Sequence, residues 1–198
     1  ILHDTTDPLV MRNVFIGQGK AYQPTERAGD VYLEDVCALS QIHYVKKDPF
    51  PEAIPQFEFA PGQRVWARQL NPEQLHTHIL NNGACLWILG LKTERPGTVI
   101  DVRNKGWTEL LGCTVLPAYA VPSNTPAFRI GENCPVTLVG VEHISWQKAK
   151  KHAFYEIVLE ETVHGVPRRL LKEHVPQRNH DLGFALPLYI SRTATLRR

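Results

Sequence analysis

Apolar and polar residues alternate in a six-residue pattern that recurs along most of the chain. In its clearest copy, residues 86–91, apolar residues occupy the first, third and sixth positions and glycine the fifth. The steps between neighbouring copies are 22, 34, 21, 22 and 28 residues, so a basic period near 22 underlies the chain. A fixed period of this size predicts a repeat architecture. The six copies begin at Leu9, Val31, Val65, Leu86, Thr108 and Val136.

A second set of short apolar runs precedes three of these copies by six residues, at 78–80, 100–102 and 128–130. Alternation over three to five positions is typical of β-strands, so each period holds two or more strands and no helix. Such a unit predicts one coil of a right-handed parallel β-helix. A leucine-rich repeat has a similar length, but its fixed asparagine and helical half are missing here.

Stacking of the coils predicts columns of equivalent residues about 4.8 Å apart. The third positions of the six copies predict one interior ladder, and the second set of runs predicts another on a neighbouring face. Two asparagines that follow the second ladder are expected to pair at a corner. The first ladder is Met11, Leu33, Ala67, Ile88, Leu110 and Leu138; the second is Leu80, Val102 and Ile130; the corner pair is Asn82 and Asn104.

The pattern predicts one domain over residues 1–198. Coils fill residues 1–146, with loop excursions at 15–30, 40–63 and 117–126. Residues 147–198 are expected to form a C-terminal cap, with a β-hairpin from 154–159 and 168–171 and a last strand at 186–190. Because the first residue is Ile1 and the repeat is already running at Leu9, we expect residues 1–8, a missing N-terminal β-helix portion or an oligomer to cover the first coil.

Composition predicts a soluble chain, with 43% hydrophobic residues, 21% charged residues and a net charge of +2. The sequence contains no apolar stretch of the roughly 20 residues that a membrane span needs, and no signal peptide is visible. Residues 148–198 are basic, but their positive charges are scattered and not interleaved with aromatic residues. A nucleic-acid partner is therefore not expected.

The four cysteines show neither close pairs nor metal-binding spacing, so free thiols are predicted. Cys113 falls on an interior position beside Leu91 and Val141, as a small buried hydrophobe. His76 and His78 resemble a two-ligand metal arm, but no third ligand is evident in the sequence. We therefore predict neither a metal nor a cofactor.

The second position of each copy points outward and predicts a binding strip. Three successive aromatic residues there suit the apolar faces of sugar rings, which indicates a polysaccharide partner. In the alternative, the 40–63 loop or a partner subunit covers the strip. The strip consists of Val10, Tyr32, Trp66, Trp87, Glu109 and Thr137.

Candidate catalytic groups are the carboxylates Glu109, Asp101 and Asp35. Glycoside hydrolysis needs two carboxyls about 5–9.5 Å apart. Asp35, like Glu34, lies three coils from Glu109, about 14 Å at the strand spacing, which is too far. Asp101 shares a coil with Glu109 but lies on a different face, where an ion pair with Arg129 is the competing role.

A lyase would instead need a base and cations that neutralise a uronate carboxylate. Outward-facing Arg68 and Arg103 are the candidates for substrate binding, with Arg129 and Lys105 as further cations. They join Tyr32, Trp66 and Trp87 in the predicted binding site.

Residues 87–94, 96–101 and 107–112 carry a resemblance to a known superfamily. They resemble the C-terminal coils of bacterial pectate-lyase-like β-helix proteins, the superfamily of pectate lyases, polygalacturonases and exo-β-1,3-glucanases. The likeness covers roughly residues 60–145 and implies the β-helix fold. The paired aspartates of polygalacturonases and the calcium-binding aspartates and arginine of pectate lyases are not found in this sequence, so the likeness implies no particular reaction.

Two functional hypotheses follow. The first is an extracellular or periplasmic polysaccharide hydrolase or lyase, or the C-terminal part of one, that holds glycan on the aromatic strip. The alternative is a non-catalytic structural, adhesive or assembly β-helix that uses the strip as a protein interface.

Overall fold

The computed structural model describes residues 1–17, 19–39, 54–73, 76–144, 153–178 and 183–192. In this part of the chain there are fifteen β-strands, one short 3₁₀ helix (Lys172–His174) and no α-helix. None of its helices is therefore long and apolar enough to cross a membrane. The strands are β1 (Leu2–His3), β2 (Leu9–Ile16), β3 (Gln23–Pro24), β4 (Val31–Leu39), β5 (Phe57–Phe59), β6 (Arg64–Glu73), β7 (Ile79–Asn82), β8 (Cys85–Glu94), β9 (Ile100–Arg103), β10 (Trp107–Leu116), β11 (Pro126–Ile130), β12 (Val136–His143), β13 (Ile157–Val163), β14 (Val166–Leu171) and β15 (Phe184–Ile190).

The strands form two large sheets and one small pair. The seven-stranded sheet has the order β2-β4-β6-β8-β10-β12-β15, the six-stranded sheet has the order β5-β7-β9-β11-β13-β14, and β1 pairs with β3. From β4 to β13 the chain alternates between the two large sheets. Neighbours run parallel except the last strand of each sheet, where β15 and β14 are antiparallel. The predicted all-β class is confirmed, and the arrangement of parallel strands is compatible with a β-helix.

The register of the seven-stranded sheet follows the sequence repeat. The first residues of the six copies pair in succession from Leu9 to Val136. The predicted first ladder is confirmed, because all six of its members lie beside one another and are at most 5% exposed. Cys113 lies between Leu91 and Val141 as predicted, and burial raises the pKa of its thiol.

Each of the six parallel strands of this sheet bends at the fifth position of the repeat. All six residues there have positive φ, from 52° to 78°. The bend shifts the alternation by one residue, so positions one, three, six and eight face the core. Left-handed backbone is free for glycine and tolerated by asparagine and aspartate, which accounts for every member of this column except Gln69. The column is Asn13, Asp35, Gln69, Gly90, Gly112 and Gly140.

The second predicted ladder is correct for Val102 and Ile130, which pair with each other, but wrong for Leu80. Leu80 pairs with Asp101 and is half-buried, whereas Asn81 pairs with Val102 and points inward. The Asn81 amide donates to the Ala84 carbonyl oxygen and to Thr108 Oγ1, so a polar side chain occupies a core position. Because Asn81 is polar, the alternation of apolar residues does not reveal this inward position. Asn104 Nδ2 donates to Asn82 Oδ1 at 2.5 Å, which confirms the corner pair.

Two predicted loop excursions contain strands. Within 15–30, β2 continues to Ile16 and β3 pairs with β1. Of the 40–63 excursion, residues 40–53 lie outside the described residues, and β5 belongs to the six-stranded sheet through its pairing with β7. These short strands are stabilised by pairing with strands that are distant in sequence. The turn residues around them make the local sequence typical of a loop. The predicted excursion at 117–126 carries no strand up to residue 125, and its last residue, Pro126, begins β11.

The C-terminal region ends both sheets. The predicted hairpin is confirmed as β13 and β14, which turn at His164 and Gly165. The predicted last strand is confirmed as β15, and it begins two residues earlier, at Phe184. Tyr189 Oη donates to Glu161 Oε2 at 2.6 Å and so joins the two sheets. The extent of a single domain over residues 1–198 stays a prediction.

Candidate functional site

The outward side chains before the bend form two parallel rows on the seven-stranded sheet. The second positions form the predicted strip. From Val10 to Thr137, each member lies beside the next one on the neighbouring strand. The fourth positions form a second row, and the members of both rows from β2 to β10 line one shallow groove of about 320 Å³. We call these two rows the outer face. The fourth-position row is Arg12, Glu34, Arg68, Leu89, Leu111 and Val139, and Leu188 of β15 continues it.

The aromatic rings of the strip stack on one another. The Tyr32 and Trp66 ring centroids are 4.8 Å apart at an interplanar angle of 9°, and those of Trp66 and Trp87 are 5.3 Å apart at 6°. Trp107 leans against Trp87, with centroids 4.9 Å apart and planes at 55°. Because the spacing of the strands brings these ring faces together, the stack turns ring edges toward solvent. The flat sugar-stacking surface expected from the sequence is not what this geometry presents.

One end of the outer face is charged. Glu34 forms ion pairs with two arginines on the neighbouring strands. Arg12 Nε lies 3.1 Å from its carboxylate, and Arg68 Nη2 is in direct contact with it. The Arg64 guanidinium lies 5.6 Å from the Trp66 ring centroid and pairs with Asp30 at 2.6 Å. That hydrogen-bonded pair lowers the pKa of Asp30. Arg68, predicted to hold substrate, is therefore engaged by a carboxylate of its own row.

The rest of the fourth-position row is aliphatic. Leu89 is 57% exposed and Leu188 is 58% exposed, while Leu111 is 40% exposed and Val139 half-buried. Beside them in the second-position row, Ile190 of β15 follows Thr137 and is also exposed. The leucines were missed as functional candidates, although they recur at the fourth position of the same repeat.

The structure does not bring the predicted catalytic carboxylates together. Glu109 lies half-buried in the groove, next to Trp87 and Thr137. Asp35 occupies a bend position outside this groove, and Asp101 belongs to the other large sheet. Within the groove, Glu34 and Glu109 are three strands apart, about 14 Å at the strand spacing. Either glycosidase mechanism requires less than about 9.5 Å.

Asp101 is buried at the centre of a charged ladder on the six-stranded sheet. It was expected at the surface, but it is 0% exposed. The predicted pair with Arg129 is present at 3.4 Å, and a closer bidentate pair joins it to Arg103 at 2.6 and 3.1 Å. This contact raises the pKa of Arg103. The ladder continues from Arg129 to Glu160 at 3.6 Å, so Asp101 and Arg103 neutralise each other away from the outer face.

The predicted histidine arm does not form a metal site in the described part of the chain. His78 is buried and its Nδ1 lies 2.6 Å from Thr93 Oγ1, while His76 is half-buried. The described residues contain no group of three or more histidine, cysteine, aspartate or glutamate side chains placed to hold a metal ion.

A second groove, of about 750 Å³, follows the bend. Its floor contains Gly90, Gly112 and Gly140, which the recurrent glycine of the sequence pattern signals. Lys92 and Glu142 stand along one side, but Lys92 is paired with Glu73 and Glu94, and Glu142 with Arg178. The charges of Lys92 and Glu142 are therefore paired within the chain, and the carboxylate of Asp35 also lines this groove.

No protein-family model, curated protein or solved structure matches this chain. The residues of the outer face themselves define its chemistry. It offers stacked aromatic edges, exposed leucines and a self-paired charged end, an arrangement suited to packing against another surface.

Proposed function

We propose that this chain is a right-handed parallel β-helix that acts as a non-catalytic assembly protein and binds a protein partner through the outer face. The in-register parallel strands, the alternation between two sheets and the repeated bend support the β-helix. Crossovers between parallel strands are right-handed in nearly all proteins, which supports the hand.

The observation that carries the proposed function is the exposed apolar surface of the outer face. Apolar side chains of this face occur on every strand from Val10 on β2 to Ile190 on β15. Contiguous exposed apolar patches mark interaction surfaces. The aromatic stack supports a protein partner over a glycan, because its inner rings, Trp66 and Trp87, each have a neighbouring ring on both sides.

A polysaccharide hydrolase or lyase of the pectate-lyase-like superfamily is the second candidate. It is favoured by the position of Glu109, which lies beside Trp87 in an open groove. It is disfavoured by the separation of about 14 Å between the groove's two described carboxylates. The ion pairs of Arg68 and Arg103 also leave these cations neutralised.

Reducing-sugar release and retardation in polysaccharide gels, over a panel of glucans, pectins and alginate, separate the two candidates. We expect no release and no retardation, because the two described carboxylates of the groove are too far apart for hydrolysis and Trp66 and Trp87 each lie between neighbouring rings. Sugar release that disappears in Glu109→Gln would establish an enzyme and overturn the proposal. Retardation that disappears in Trp87→Ala would establish a glycan-binding face and overturn it equally.

A further inference from the structure

We infer that the partner of the outer face is a second copy of this chain, packed face to face about a two-fold axis parallel to the direction in which the strands stack. This inference rests on the proposed function and names its partner. A two-fold interface requires a surface that is complementary to itself. The two rows of the outer face meet this requirement on most of their strands.

A two-fold axis in this direction keeps the strand order and reverses the strand direction. The second-position row of one copy therefore lies over the fourth-position row of the other, strand against equivalent strand. On β8, Trp87 meets Leu89 of the second copy. On β12 Thr137 meets Val139, and on β15 Ile190 meets Leu188, so apolar groups cover one another across the centre and one end.

The charged end is compatible with the same arrangement. On β4, Tyr32 meets Glu34 of the second copy, where its phenol O–H can donate to the carboxylate. On β6, the methylene stem of Arg68 packs on Trp66, as long cationic side chains do on apolar surfaces. Each Glu34 keeps its arginine partners within its own copy, so the interface buries no unpaired charge at this end.

The size of the face suits a dimer. Seven strands span about 29 Å, and five residues of each strand span about 17 Å. This gives a footprint on the order of 500 Å², which side-chain relief enlarges toward the roughly 800 Å² per partner of a standard interface.

On β10, Glu109 meets Leu111 of the second copy. This is the one position of the face where a carboxylate lies over an aliphatic side chain.

Sedimentation equilibrium over a range of concentrations tests the dimer. We expect a species of twice the 22.4 kDa chain mass. Leu89→Glu places a carboxylate at the centre of the interface and should weaken dimerisation at least about tenfold. Val166→Glu is the matched control, because Val166 is also 57% exposed but lies on β14, away from the outer face. Circular dichroism verifies that both variants fold.

The orientation of the two copies has its own test. Leu111→Lys should tighten dimerisation by about threefold to tenfold at low salt, because its ammonium meets Glu109 of the second copy. Adding Glu109→Gln to the same chain should remove this gain. A gain that survives Glu109→Gln, or weaker dimerisation in Leu111→Lys, would overturn the two-fold arrangement.

The remaining outcomes separate this inference from the proposed function. A monomer at every concentration, without sugar release, refutes the second copy and leaves another protein as the partner. A dimer that Leu89→Glu does not weaken refutes this interface. Sugar release abolished by Glu109→Gln refutes the inference and the proposed function together.

Discussion

At the scale of single residues, burial and pairing distinguish structural carboxylates from candidate functional ones. Asp101 is fully buried and binds two arginines, one from its own strand and one from the next. Glu109 is half-buried in the groove of the outer face. Alternation along the strands predicts that both point outward, and only the packing around them shows their different roles.

Replacing Asp101 by asparagine should lower the free energy of unfolding by about 1–3 kcal/mol, because two charge-assisted hydrogen bonds with arginine are lost inside the protein. Urea denaturation of the variant and the parent chain measures the difference. Glu109→Gln, on the outer face, is the control and should stay within about 0.5 kcal/mol of the parent. An unchanged stability in Asp101→Asn would contradict the structural role of this carboxylate.

At the scale of the element, the left-handed residue at the fifth position determines the shape of the six parallel strands in the seven-stranded sheet. It bends the strand and shifts the inward-facing positions by one residue, from odd positions before the bend to even positions after it. Three copies use glycine and three use asparagine, aspartate or glutamine. The bend is therefore a property of the stacked strands. Residues of several kinds can adopt its left-handed backbone conformation, each at a different energetic cost.

Gly112→Ala should destabilise the protein by about 1–2 kcal/mol, because an alanine at φ 77° pays the cost of left-handed backbone. The strain comes from the backbone alone, since a Cβ added at Gly112 meets no atom within 4 Å. Gly112→Asn should cost less, because Asn13 adopts the same conformation in the first copy. Thermal unfolding of the two variants gives the order, and equal losses would contradict this explanation.

At the scale of the whole molecule, the C-terminal strands close the sheets at one end. β15 covers the outer edge of β12 and contributes the buried side chains Phe184 and Leu186 to the core. Both strands that close a sheet are antiparallel to their neighbours. The parallel ladder therefore ends where the chain reverses direction.

A chain that stops at Gly183 should form particles larger than a dimer. It loses β15 and exposes the backbone edge of β12 together with core side chains, which favours strand-to-strand association. Static light scattering compares it with a chain that stops at Arg192 and keeps β15. If the shorter chain shows the same mass as the longer one, β15 is not the element that closes this sheet.

The sequence by itself determined the repeat, the register of the seven-stranded sheet and its interior ladder. It did so because apolar residues at a fixed period can be buried in only one way in a stack of strands. The same pattern predicted the outward position of Trp66 and Trp87. It misplaced Leu80, because Asn81 takes an inward position that a purely apolar pattern does not recognise.

Only the tertiary structure decided how the outward residues are used. Ring orientation in the Tyr32–Trp66–Trp87 stack depends on contacts between strands that are 21 and 34 residues apart in sequence. The burial of Asp101 likewise depends on Arg103 and Arg129 closing over it. Periodicity records which side of a strand a residue faces, but neighbours on other strands determine whether that side is buried, paired or open to a partner.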